Sequence, residues 1–310
     1  MRPDFKDFML CALGFLSFSA ATPGAPAPGG DTATHPTMSE VLAATTAADW
    51  RDLDPENTLY MDLPSGRVII ELAPAFAPLH VRNIKILAKA GYYDGLAVDR
   101  EQDNYVAQWG DPENLHSVPA GIGKTVPEFD APLNTRLPFT RLPDGDIYAP
   151  EVGFSAGFPM ARSAALQRMW LAHCYAMVGV GRDLDTESGS GVELYAVIGH
   201  APRHLDRNVA LVGRIVRGAE LLSGLPRGSG DLGVYTKNET RLPIKSIRLA
   251  ADVPPAQRVN LEVMRTDTVA FTALIESRRN RHDPFFVVPA GHIELCNVPI
   301  PVRERSAQSP

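Results

Sequence analysis

Most of the strings in this chain that could do covalent or metal chemistry fail on their surroundings. Gly153-Phe154-Ser155-Ala156-Gly157 has the G-x-S-x-G spacing of a serine-hydrolase elbow. That elbow needs a buried strand before the serine and a helix directly after it. Pro150 and Pro159 flank the string inside a loop-like stretch, so a turn is the better reading. Gly123-Lys124-Thr125 resembles the end of a phosphate-binding loop, but Val118 stands where the first glycine belongs and no apolar strand precedes it. His200 and His204 are four apart, as ligands on one helix face would be. Pro202 between them argues against a helix, and no acidic or cysteine ligand completes a metal set. A surface loop fits them better.

The chain has 310 residues, 45% hydrophobic and 21% charged, with formal charge −6. This is a globular composition, long enough for one large domain or two small ones. Net acidity gives no support to a nucleic-acid partner, since phosphate wants a basic face. No apolar run reaches the roughly 18 residues of a membrane span. Arg2 and Lys6 precede the apolar stretch Phe8 to Phe18 and the small residues Ser19, Ala20 and Ala21, the layout of a secretory signal peptide over residues 1–21. The expected location is therefore periplasmic or secreted. Thr22 to Pro36 reads as a flexible tether, so residues 22–54 form a linker with a short helix from Ser39 to Trp50. After export two cysteines remain, Cys174 and Cys296. Sequence alone leaves them as two buried thiols or one disulfide.

Short strands then recur. Thr58–Leu63 and Arg67–Leu72 flank a Pro64-Ser65-Gly66 turn as a hairpin. Pro78 opens a helix that Gly91 closes, with Val81, Ile84, Leu87 and Ala88 on its apolar face. Strand patterns follow at Leu96–Asp99, Asn104–Gln108, Ala176–Val180, Val192–Ile198, Val209–Val216 and Ile244–Ala250, with a helical turn near Ala219–Gly224. Pro112 to Leu166 reads as loop, and a helix capped by Asp267 is expected near Asp267–Arg281.

A set of short motifs in fixed order carries a resemblance. Gly66-Arg67-Val68-Ile69-Ile70-Glu71-Leu72 leads to the helix ending at Gly91-Tyr92-Tyr93-Asp94-Gly95. Then come Asp99-Arg100, Asn104-Tyr105-Val106 and Gln108-Trp109-Gly110-Asp111-Pro112. Gly189-Ser190-Gly191, Glu193-Leu194-Tyr195, Leu205-Asp206 and Val212-Gly213-Arg214-Ile215-Val216-Arg217-Gly218 follow. The set resembles the cyclophilin family of peptidyl-prolyl cis-trans isomerases, in particular its exported bacterial members. The resemblance implies a mainly β fold: a closed eight-stranded antiparallel barrel with two capping helices over residues 55–250. It is interrupted by a long loop insertion at 130–171 and followed by a C-terminal extension at 251–310.

The implied reaction is rotation about an X–Pro amide, whose barrier of about 18–20 kcal/mol comes from amide resonance. Nothing is broken covalently, so no metal or cofactor is called for. The resemblance makes Arg100 the cation that donates to the prolyl nitrogen as the amide twists, and Gln108 the amide near the substrate carbonyl. Tyr105, Val106, Tyr195 and Leu205 form the proline socket, and Glu193 and His204 flank the cleft. Partners are then proline-containing segments of unfolded or folding proteins, bound by a monomer. A catalytically weak proline-binding or chaperone module on the same fold is the alternative. The chain departs from the family's pattern at Glu193 and Tyr195, at Val106 and Val209, at His204 in place of a tryptophan, and at Trp109 in place of a glycine. Those departures bear on rate and ligand preference.

Overall fold

A computed structural model describes residues 35–305 except Asn114, His282 and Pro284. The expected signal peptide lies outside the described residues, as does all of the tether but His35 and Pro36.

The largest unit is a curled, wholly antiparallel sheet of nine strands where the resemblance implies eight. Their order is Leu242–Pro243, Ala97–Glu101, Val106–Gly110, Leu194–Val197, Met177–Val180, Leu211–Arg217, Gly66–Leu72, Thr58–Leu63 and Ser246–Leu249. Both edge strands come from one stretch of chain, since Leu242–Pro243 pairs with Ala97–Glu101 and Ser246–Leu249 with Thr58–Leu63. The expected hairpin forms, Thr58 facing Glu71 and Leu63 facing Gly66, so that Gly66 joins the second strand.

Alternation along these strands makes two cores. Val98, Ala107, Trp109, Val178, Val180, Leu194, Ala196 and Val212 point inward, where the helix Pro78–Lys89 adds Val81, Ile84, Leu87 and Ala88. Pro78 stands at that helix's first turn, and Gly91 ends it at φ +68°, a conformation that costs glycine little. Its leading amides of Leu79 and His80 donate to the Glu128 carboxylate, which the positive helix end favours. The second helical element, Glu220–Ser223, is a single turn.

Val106, Tyr195, Val197, Met177 and Leu211 point outward from the same strands, and a second core covers them. Here the sequence reading needs correction. Residues 130–171 are not a long loop but carry a five-stranded antiparallel sheet, in the order Ala131–Pro132, Arg168–Leu171, Phe158–Ser163, Glu151–Ser155 and Thr140–Arg141. Phe154, Met160, Met169 and Trp170 from this sheet share the outer core with Phe271 and Leu274 of the C-terminal helix. Pro159 misled because proline cannot donate to a ladder. It sits one residue into its strand, just past the hairpin turn, where the loss is tolerated. Ser155 ends the preceding strand, 1% exposed, and the turn Ala156–Gly157 follows it, so the hydrolase-like string is a hairpin corner.

A third sheet joins Trp50–Asp52, Leu261–Met264 and Val302–Glu304. The C-terminal helix is Val269–Arg279, capped by Thr268 rather than Asp267. The N-terminal helix shortens to Met38–Ala43, with Thr37 and Glu40 forming a capping box, and Trp50 begins a strand. The disulfide left open by sequence is formed: Cys174 and Cys296 are bonded across 122 residues.

Candidate active site

Strand register brings the polar residues to one face. Arg100 lies opposite Gln108, and Gln108 opposite Tyr195 on the next strand. Arg100 reaches that face because the ladder shifts between Val98 and Arg100, a bulge with Asp99 as the extra residue. Bulges re-aim side chains in this way beside binding sites. Glu193 and Val106, each two residues from a member of the row, share its face.

The row is wired by hydrogen bonds. Arg100 donates from Nε to the Leu232 carbonyl at 2.8 Å, from Nη1 to Gln108 Oε1 at 3.1 Å, and from Nη2 to Gln102 Oε1. Gln108 in turn donates from Nε2 to Glu193 Oε2 at 2.9 Å. A cation on one side and a carboxylate on the other thus fix the orientation of the Gln108 amide. Arg100 forms no ion pair among the described residues, and its guanidinium lies 5.8 Å from the Tyr105 ring centre. Burial lowers its pKa, yet an arginine stays charged throughout the ordinary range. Burial also raises the Glu193 carboxyl, an effect that the Gln108 hydrogen bond opposes.

Tyr105 stacks on His204, ring centres 6.3 Å apart and planes within 4°. His204 is exposed, and Tyr105 and Leu205 are half-buried. Val106 and Tyr195 are only 3% and 6% exposed and belong to the outer core. The structure therefore brings Arg100, Gln108 and Glu193 into one chain and Tyr105 and His204 into another, while Val106 and Tyr195 form the floor. Trp109 points away from this face, fully buried in the inner core.

A buried network behind Tyr195 has no counterpart in the sequence reading. The Tyr195 hydroxyl lies 2.8 Å from His173 Nε2, and His173 Nδ1 lies 2.8 Å from Asp206 Oδ1. Arg203 donates to Asp206 Oδ2 at 2.6 Å and to both Asp146 oxygens at 2.9 Å. Burial holds His173 below its ordinary pKa, so the ring is neutral near pH 7. Neutral His173 gives its Nδ1 proton to Asp206 and accepts the Tyr195 hydroxyl at Nε2. Tyr195 lies flat over Gly179, where a Cβ would come within 2.3 Å of the ring. The available signal was the tyrosine itself, because a buried hydroxyl needs a partner.

Two carboxyls on the Arg100 strand titrate abnormally. Glu101 is fully buried, with Arg227 at 2.7 Å from one oxygen and no partner for the other. Burial pushes it up to about 8 against the pull of Arg227, and pushes Asp99 up to about 6. Between its ordinary value near 4.3 and about 8, the folded chain holds a proton on Glu101 that the unfolded chain has lost. Stability should then fall as pH rises from about 5 to about 8. Urea midpoints across that window should show the fall, and Glu101→Gln should largely abolish it. An equal slope in the variant would mean Glu101 is ionised throughout.

The outer face of the curled antiparallel sheet thus carries an arginine, a glutamine and a tyrosine in one row. The match to the family model for cyclophilin type peptidyl-prolyl cis-trans isomerases covers residues 58–249, well over half of the chain, and the chain belongs to that family. It is similar to the crystal structure of cyclophilin AquaCyp293 from Hirschia baltica, with TM-score 0.67 and 25% identity over 86% of this chain and 97% of that one. It is 47% identical over 58 residues to the "Probable peptidyl-prolyl cis-trans isomerase" of Brucella suis, 19% of this chain and 30% of that one. It is also 45% identical over 47 residues to the peptidyl-prolyl cis-trans isomerase ppi1 of Schizosaccharomyces pombe, 15% of this chain and 30% of that one. The matched stretch thus spans about 30% of the length of these curated relatives.

Proposed function

We propose that this chain accelerates cis-trans rotation of X–Pro bonds in proteins folding outside the cytoplasm. The observation that carries the proposal is Arg100: a half-buried guanidinium, in no ion pair among the described residues, held by three neutral acceptors beside Tyr105. As the amide twists out of plane, the prolyl nitrogen regains a lone pair, and a fixed donor there binds the twisted state better than either planar one. Gln108, aligned by Arg100 and Glu193, is the amide for the substrate carbonyl. Tyr105, Val106, Tyr195, His204 and Leu205 make the proline site.

In this reading residues 55–250 are the isomerase domain, its sheet closed into a barrel through residues 242–249, and residues 251–310 are an extension. Residues 1–21 are an export signal of the exported bacterial type, and the mature chain is a periplasmic or secreted monomer. The Cys174–Cys296 bond supports that location, since disulfides persist in oxidising compartments.

The test is a refolding reaction limited by proline isomerisation, which takes tens to hundreds of seconds unaided. Catalytic amounts of this chain should shorten the slow phase and leave its amplitude unchanged. If it instead lowers the yield of native protein without changing the rate, the chain is a proline-binding module and the proposal fails.

A further inference from the structure

A cavity of about 640 Å³ lies beside the proline site but apart from it. Three segments and Tyr175 wall it: the turn 144–148 of the inserted sheet, the loop 199–203, and residues 292–297 of the C-terminal extension. The loop and Tyr175 lie in the stretch that the family model matches outside the insertion, and residues 292–297 lie beyond that stretch. That loop also leads directly into His204 and Leu205, and its His200 amide donates to the Asn104 side chain, next to Tyr105. Groove and proline site therefore share one turn of backbone.

The groove is built to keep its shape. Arg279 bonds both oxygens of Asp144 at 2.7 Å, and Arg203 both oxygens of Asp146 at 2.9 Å. The Ile293 amide donates to Asp144, and Cys296 is tied to Cys174. Yet its rim is open: Ile147 is 92% exposed, and Tyr148 and Tyr175 are about half exposed. Its charge is unbalanced as well. Arg203 faces three carboxylates, Asp146, Asp206 and Glu294, and the last stands 3.9 Å away with half of its side chain in solvent. His173, the other base of that network, is held neutral by burial.

We infer that this groove binds the stretch of client polypeptide flanking the X–Pro bond, and selects stretches with an apolar and a basic residue. The inference rests on the isomerase reading for the identity of the client. Continuity with the proline site says that one extended chain can occupy both. Ile147 and the two tyrosines offer the apolar contacts, and Glu294 the anion for a lysine or arginine. A preformed groove loses little entropy when it fills.

The experiment compares a proline tetrapeptide with a longer peptide carrying leucine and lysine on both flanks of the same Ala-Pro bond. Wild type should bind the longer peptide about tenfold more tightly by fluorescence anisotropy, an advantage of about 1.4 kcal/mol. Replacing its lysines with glutamates should remove most of that advantage. Glu294→Gln keeps an oxygen to cap the Cys296 amide, and Ile147→Ser alters an exposed side chain. Each should cut the advantage to about threefold or less, with kcat/KM on the tetrapeptide unchanged. Equal binding of both peptides by wild type, or an undiminished advantage in both variants, would overturn the inference and leave the isomerase reading intact. A wild type that turns over neither peptide but still shows the Glu294-dependent advantage would overturn the isomerase reading alone.

Discussion

Arg100→Ala is expected to lower kcat/KM on a proline tetrapeptide by about 10²–10³-fold, or about 3–4 kcal/mol of transition-state stabilisation. The loss should fall mainly on kcat, because in the proposed site Tyr105, His204 and Leu205 would still hold the ground-state proline. Arg100→Lys keeps a charge but loses the planar fork that spans the Leu232 carbonyl, Gln108 and Gln102, so it should recover only part of the rate. Folding should change little, since the side chain is half-buried and pairs with no carboxylate among the described residues. Circular dichroism and a chromogenic peptide assay on the same preparations check both statements. An Arg100→Ala chain as active as wild type would place the site elsewhere.

The second large effect concerns stability. Cys174 and Cys296 close a loop of 122 residues. Opening a loop of that size is expected to cost about 4–5 kcal/mol through the freed unfolded chain. The Cys174→Ser/Cys296→Ser variant, or wild type with a strong reductant, should therefore melt on the order of 10 °C lower. Cys174 directly follows His173, which holds Tyr195, so the loss should also loosen the floor of the proline site and raise KM. A melting temperature unmoved by reductant would mean that the outer core alone secures residues 292–297.

These two effects differ in how far sequence foretells them. The hairpin at 58–72 and the helix opened by Pro78 and closed by Gly91 are written in local chemistry: strand formers around a turn, then a helix with its stop signal. The row from Arg100 through Gln108 to Tyr195 is legible only through family resemblance. Its register depends on a bulge at Asp99 that no local pattern marks. The inserted sheet escaped because its strands are two to six residues long, too short for alternation to stand out. Pro150 and Pro159 also fall where they imitate a loop. The Tyr195–His173–Asp206–Arg203–Asp146 network was invisible for another reason. Its members are scattered between residues 146 and 206, and only the packing of the insertion against the sheet gathers them. Trp109, which the family's pattern would make glycine, proved to face the inner core and so leaves the outer face to Gln108.

The central claim is that the Arg100 face catalyses amide rotation and does more than bind proline. Two-dimensional NMR exchange on an Ala-Pro peptide, with the chain at catalytic concentration, reads that rotation without a coupled protease. The account predicts cis-trans exchange cross-peaks with wild type at mixing times far shorter than the unaided exchange, and none with Arg100→Ala at the same concentration. Peptide resonances that shift and broaden on binding wild type, with no exchange cross-peaks between the cis and trans forms, would contradict it.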